Sequence, residues 1–160
     1  MDKNYWIEKL ELQVHPDGGY YKEFYRSKDI ITSSNINEQR SSSTSIYYLL
    51  ESETKSFCHK LKSDEIWYYH HGASVTLFLI DQEGNLSIKI CGKGEGKDLC
   101  VLIPKNTWFG ARVMEPNAFA LVSCMVSPGF EFTDLEIADR NELIKIFPQH
   151  KESIIKYTLM

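Results

Sequence analysis

Runs rich in Val, Ile, Thr, Tyr and Phe recur about every 8–12 residues along the chain, separated by clusters of Gly, Pro, Asn and Asp. That spacing predicts an all-β sandwich or barrel rather than alternating strands and helices. Strands are expected at 20–26, 43–50, 57–61, 65–71, 74–80, 86–91, 99–103, 108–113, 118–126 and 130–137. Asp17-Gly18-Gly19, Asp81 to Asn85, Gly92 to Asp98, Glu115-Pro116-Asn117 and Ser127-Pro128-Gly129 supply the positive-φ or proline-set positions that turns need. A helical period is confined to the ends. Asp2 can cap a short helix carrying Trp6, Ile7 and Leu10, and Asp139 another carrying Leu143, Ile144 and Phe147. The expected organisation is one unit over 1–160, with an N-terminal helix at about 2–10, a β-barrel at about 12–137 and C-terminal helices at about 139–157. The polar stretch 27–42 is expected to be a long mobile loop.

Several strands are apolar or aromatic on both faces. In Ile46-Tyr47-Tyr48-Leu49 and Ile66-Trp67-Tyr68-Tyr69, alternation cannot turn every large ring into one barrel. The excess predicts that one outer face meets a partner subunit, because aromatic enrichment marks interfaces.

Composition narrows the class of partner. The 160 residues carry 18 Lys and Arg against 22 Asp and Glu, a net charge of −4 with no basic block, which argues against nucleic acid. The longest apolar stretch, Val75 to Ile80, is far short of the ~20 residues of a membrane helix, and the first residues lack an apolar signal core. A cytoplasmic protein without a membrane partner is expected. Cys58, Cys91, Cys100 and Cys124 form no C-x-x-C pair, so a structural zinc site is not predicted and reduced thiols are.

The candidate chemistry lies in Phe57 to Gly72. A His and a Glu brought together inside an aromatic-lined barrel would form an acid/base pair in a low-dielectric pocket, where each could shift the other's pKa. His59 and Glu65 are therefore the candidate catalytic residues, with Trp67, Tyr69, Trp108 and Phe109 as candidate ligand-binding walls. A second segment, His15-Pro16-Asp17-Gly18-Gly19, delivers a strand on which alternation puts Tyr21, Glu23 and Tyr25 on one face and Lys22, Phe24 and Arg26 on the other. Glu23, Tyr25 and Arg26, with Ser45 and Tyr47 of the next strand, complete the candidate ligand-binding set.

The spacing His59-x5-Glu65-x6-Gly72 resembles the first signature of the cupin superfamily. Glu53 stands at that signature's leading Gly and Leu61 at its second His. Of the second signature Pro104 survives, with Asn106 at a Gly, Phe109 at the metal-binding His and Val113 at the final Asn. Over Trp6 to Phe147 the chain looks like an uncharacterised branch of rhamnose-epimerase-like cupins. The resemblance implies a cupin-type double-stranded β-helix, a jelly-roll barrel, assembled as a homodimer. It also implies a metal held by three imidazoles and a carboxylate, of which only His59 and Glu65 remain. No metal or other cofactor is therefore expected, those two being weak candidate ligands. The expected function is binding of a small molecule, through either metal-independent isomerase or epimerase chemistry on a sugar or nucleotide-sugar-like ligand, or binding without catalysis. A metal-dependent dioxygenase or isomerase is the remaining alternative.

Overall fold

The computed structural model describes residues 1–16 and 18–159; Asp17, expected in the first turn, lies outside them. Helix α1 (Lys3–Leu10) is capped by Asp2, whose carboxylate accepts from Tyr5 N at 2.9 Å. The strands follow as β1 (Gln13–Val14), β2 (Tyr20–Arg26), β3 (Ile30–Ser33), β4 (Glu38–Ser41), β5 (Thr44–Glu51), β6 (Lys55–Leu61), β7 (Asp64–Gly72), β8 (Val75–Ile80), β9 (Leu86–Cys91), β10 (Cys100–Ile103), β11 (Trp108–Val113) and β12 (Phe119–Ser127). A single 3-10 turn (Phe132–Asp134) precedes β13 (Leu135–Ile137), so the strand expected at 130–137 is extended only in its last three residues. Helix α2 (Arg140–Ile146) is capped by Asp139, which accepts from Glu142 N, and α3 (Lys151–Tyr157) closes the chain.

The strands form two antiparallel sheets, ordered β1-β2-β5-β12-β7-β10 and β13-β6-β11-β8-β9. Face to face they make the jelly-roll predicted above. Their inner faces share one apolar core, including Trp67, Leu77, Phe109, Val113 and Val122. Each such side chain contributes roughly 1.5–3 kcal/mol by leaving water. The terminal helices cover part of each outer face. Helix α1 lies over Leu49 and Leu121 of the first sheet, while α2 and α3 cover Cys58, Phe78 and Ile80 of the second.

Segment 27–42 is not a long structureless loop. Its residues pair as the β3–β4 hairpin, and Arg40 reaches from β4 to the buried carboxylate of Asp134 with two hydrogen bonds, 2.8 and 2.9 Å. The partners are 94 positions apart, so local composition carries no trace of the pair. Among the described residues, no helix is long and apolar enough to cross a membrane.

Three β-bulges decide which side chains face inward. On β2, Glu23 opposes Ile46 and Tyr25 opposes Ser45, so Phe24 is the extra residue and alternation slips by one. On β6, Ser56 and His59 oppose Ala111 and Phe109, which gives the longer strand one residue too many at Phe57–Cys58. The third, at His70 in β7, lies beyond the site.

Candidate functional site

The inner face of the first sheet can be read as rows across four strands. Arg26, Thr44, Val126 and Glu65 share one row, Glu23, Ile46, Cys124 and Trp67 the next, and Tyr21, Tyr48, Val122 and Tyr69 a third. From the opposing sheet β6 contributes Ser56, His59 and Leu61, and β13 contributes Leu135. Between these walls, with Phe130, Glu131 and Phe132 at one side, lies a cavity of about 160 Å³. That equals the liquid volume of about five waters, enough for one small molecule.

The β1–β2 turn places His15 in the same cavity. Gly18 has φ +104°, and a Cβ there would lie 2.0 Å from the Lys55 carbonyl oxygen. Only glycine lets the turn press against the start of β6 in this way. His15 then packs edge-on against Tyr21 and Tyr48, at 4.5 and 5.6 Å between ring centres. Tyr48 fixes the turn from inside by donating its hydroxyl proton to Gly18 O at 2.6 Å.

His59 and Glu65, 5% and 7% exposed, both line the cavity, as expected from the sequence. His59 Nδ1 lies 2.7 Å from Phe57 O. A carbonyl only accepts, so Nδ1 carries the proton and the lone pair sits on Nε2. Burial pushes His59 down to about 4, with the Phe57 carbonyl opposing in part. His15 is also pushed down to about 4, by burial first and then by the nearby His59 charge. Glu65 moves the other way, up to about 7, because burial outweighs the Trp67 hydrogen bond and the nearby Cys124 thiol, which favour its anion. Trp67 Nε1–H donates to Glu65 Oε1 at 2.9 Å, and Oε2 is buried on the cavity wall without a hydrogen-bond partner. Burial also raises the Cys124 thiol well above its ordinary range.

The other predicted side chains divide between the inner and outer surfaces. Glu23, Arg26 and Trp67 line the cavity. Phe109 faces inward but packs behind His59, 4.3 Å between ring centres, and Tyr69 faces inward beyond the cavity, donating its hydroxyl proton to Gly72 O at 2.6 Å. Tyr25, Ser45, Tyr47 and Trp108 do not line it. The Phe24 bulge moves Tyr25 to the surface and Arg26 inward. Ser45 and Tyr47 alternate with the inward Thr44, Ile46 and Tyr48; Tyr47 instead stacks on Phe24 at 4.3 Å. Trp108 alternates with Phe109 and packs under the C-terminal helices with Lys60 over its ring.

His15, Tyr21, Ser56 and Cys124 are wall residues absent from the sequence-derived set. Positional alternation from Trp67 and Tyr48 would have found Cys124 once β12 was paired. Ser56 was hidden by the bulge beside it, and the only sign of His15 was the Gly18-Gly19 turn that follows it.

A family profile described as Cupin superfamily (DUF985) matches residues 4–138. The chain belongs to the cupin superfamily. Two solved structures resemble this cupin over its whole length. One, a hypothetical protein from Leishmania major, is 31% identical with a TM-score of 0.94 and 100% of each chain covered. The other, from Shewanella oneidensis, is 37% identical with a TM-score of 0.90, covering 99% of this chain and 98% of that one. Oxalate decarboxylase from Bacillus subtilis shares the fold at 18% identity and TM-score 0.57, over 90% of this chain and 36% of that one. A comparison with curated proteins found no match.

The metal ligand set of the superfamily does not fit the residues of this cupin. Leu61 forms cavity wall and the Phe109 ring lies against His59, so carbon stands where the two missing imidazoles would coordinate. Among the described residues, no group of three or more His, Cys, Asp or Glu side chains could hold a metal ion.

Proposed function

We propose that this cupin binds a small polar molecule in the cavity and moves a proton on it, with Glu65 as the transferring group. The observation that carries the reading is the Glu65 carboxyl, buried, with Oε2 unpartnered on the cavity wall. A buried polar atom left in that condition costs about 1–3 kcal/mol, whereas a purely structural Glu would have both oxygens satisfied. A bound hydroxyl or carbonyl group would complete it.

The chemistry follows from the two shifts. Near neutral pH Glu65 populates both its forms, which suits a group that must take a proton and return it. Its carboxylate is held in an apolar wall that favours the protonated form, so removing a proton from carbon beside a carbonyl relieves the burial of charge. Of the two candidate catalytic residues, His59 is the weaker base, its imidazole being pushed down to about 4. His59 lines the same cavity as Glu65 from the opposing sheet and helps to shape it around the bound molecule. Return of the proton to the neighbouring carbon, with the hydroxyl proton passing between the two oxygens of the enediol, gives isomerisation; epimerisation requires the enediol to turn its other face to Glu65 before the same carbon takes the proton back.

Solvent deuterium incorporation tests this reading. Purified protein would be incubated in D₂O with three- to six-carbon aldoses and ketoses and followed by proton NMR. Exchange at the carbon next to the carbonyl is expected, falling by roughly 10²-fold or more in Glu65→Gln. A ligand found by thermal shift that never exchanges, or exchange that persists unchanged in Glu65→Gln, would reduce the cavity to a binding site.

The assembly proposed is a homodimer through the outer face of the first sheet. Helix α1 covers only part of that face, and Tyr68 and Leu102 are 36% and 55% exposed beyond it.

A further inference from the structure

At the cavity mouth, Arg26 carries a positive charge, and its position suggests a hook for a phosphate or carboxylate. Four of its five N–H donors are already taken. Nε and Nη2 donate to the two oxygens of Glu23 at 2.9 and 2.8 Å, and Nη1 donates to Glu131 Oε1 at 2.8 Å. Nη2 also donates to Phe130 O at 3.1 Å. Both carboxylates line the cavity with partly exposed side chains, Glu23 from β2 and Glu131 from the segment before the 3-10 turn. Together they outnumber the one cation and leave the mouth with an excess negative charge.

We propose that Glu23 and Glu131 make this mouth a charge filter, so that the molecule bound inside is uncharged: a free sugar or other small hydroxy-carbonyl compound, not its phosphate, nucleotide conjugate or acid. The inference rests on the proposed use of the cavity and specifies its ligand class. Two further observations agree with it. The two imidazoles and the carboxyl on the inner wall offer no fixed positive charge, the imidazoles being neutral above about pH 4. The volume of about 160 Å³ is below the roughly 300 Å³ at which pockets for larger ligands begin.

Cys124 provides a slow reporter of the cavity, because it is a buried wall residue whose raised thiol reacts only on long exposure at alkaline pH, while Cys100 is exposed on the surface of the same chain. Iodoacetamide and iodoacetate are close in size and differ by one negative charge. Both would be reacted with the folded protein at one ionic strength and pH, with labelling of each cysteine followed by peptide mass spectrometry. The preference for iodoacetamide is expected to be roughly fivefold greater at Cys124 than at Cys100, the size of a single like charge acting near a partly wet opening. Glu131→Gln should reduce that excess, and Glu23→Gln/Glu131→Gln should abolish it without changing Cys100. Equal preferences in the wild type, or an excess that survives the double variant, would overturn the filter. So would labelling of Cys124 only in step with the buried Cys58 and Cys91, which would mean access by unfolding. The measurement is independent of turnover: unchanged deuterium exchange in Glu65→Gln would remove the proton-transfer reading while leaving the labelling ratios intact.

Discussion

Trp67 and Glu65 stand two positions apart on the same inward face of β7, and the indole N–H reaches back to one carboxyl oxygen at 2.9 Å. That bond fixes one oxygen and leaves the other buried without a hydrogen-bond partner, and it comes from a side chain 1% exposed that has nowhere to move.

The Glu65 shift fixes a stability signature. Its pKa is raised from 4.5 to about 7 on folding, so the native state keeps a proton that the unfolded chain has released between those values. Stability therefore falls as pH rises through that window and is level above it. Glu65→Gln removes the penalty. Its midpoint of thermal unfolding should match wild type near pH 4.5 and exceed it above pH 7, by on the order of 3 kcal/mol in free energy. A difference independent of pH would mean that Glu65 is not held against its charge.

Arg40 and Asp134 test how the cavity's side wall is held. Their side chains are 6% and 3% exposed, and removing Arg40 leaves the enclosed Asp134 carboxylate with the more distant Lys62, at 3.8 Å, in place of two hydrogen bonds. Arg40→Met is expected to cost about 3–5 kcal/mol in urea unfolding, with Arg40→Met/Asp134→Leu recovering most of it. A loss below 1 kcal/mol in the single variant would show that the pair contributes little to holding Phe132–Asp134 beside the cavity.

Restoring the missing imidazoles makes the ligand-count argument testable. Wild-type protein, dialysed against Mn²⁺ or Ni²⁺, should retain no stoichiometric metal. Leu61→His/Phe109→His supplies two nitrogens beside His59 and should retain close to one ion per chain, measured by elemental analysis after gel filtration. Stoichiometric metal on the wild type, lost in His59→Ala, would refute the argument.

The homodimer face is checked by light scattering. Wild type is expected at twice the mass of one chain, and Tyr68→Lys/Leu102→Lys at the mass of one chain with its circular dichroism unchanged, because both side chains stand on the outer surface. A charge buried without a partner at an interface is strongly unfavourable. A wild type that runs as a single chain at micromolar concentration would end that assignment.

Strands were legible wherever β-branched and aromatic residues run between turn formers, and both terminal helices were legible from Asp2 and Asp139. The short strands of the 27–42 region were not, because a distant carboxylate helps hold that hairpin in place. In the site, His59 and Glu65 were found from spacing and chemistry. Arg26 was found as a residue but not as one whose charge is already paired with Glu23 and Glu131. Period-two counting assumes an unbroken ladder, and the extra residues at Phe24 and beside Ser56 break it on both walls. A bulge has no composition of its own; it exists only in the pairing of two strands.

Deleting Phe24 would take out the extra residue and leave an unbroken ladder, with Glu23 still opposite Ile46, Tyr25 opposite Ser45 and Arg26 opposite Thr44. The guanidinium would keep its two carboxylates, and what would go is the Phe24 ring that stacks on Tyr47 at 4.3 Å on the outer surface. The doorway thus tolerates a shorter strand, while the outer surface loses an aromatic plate.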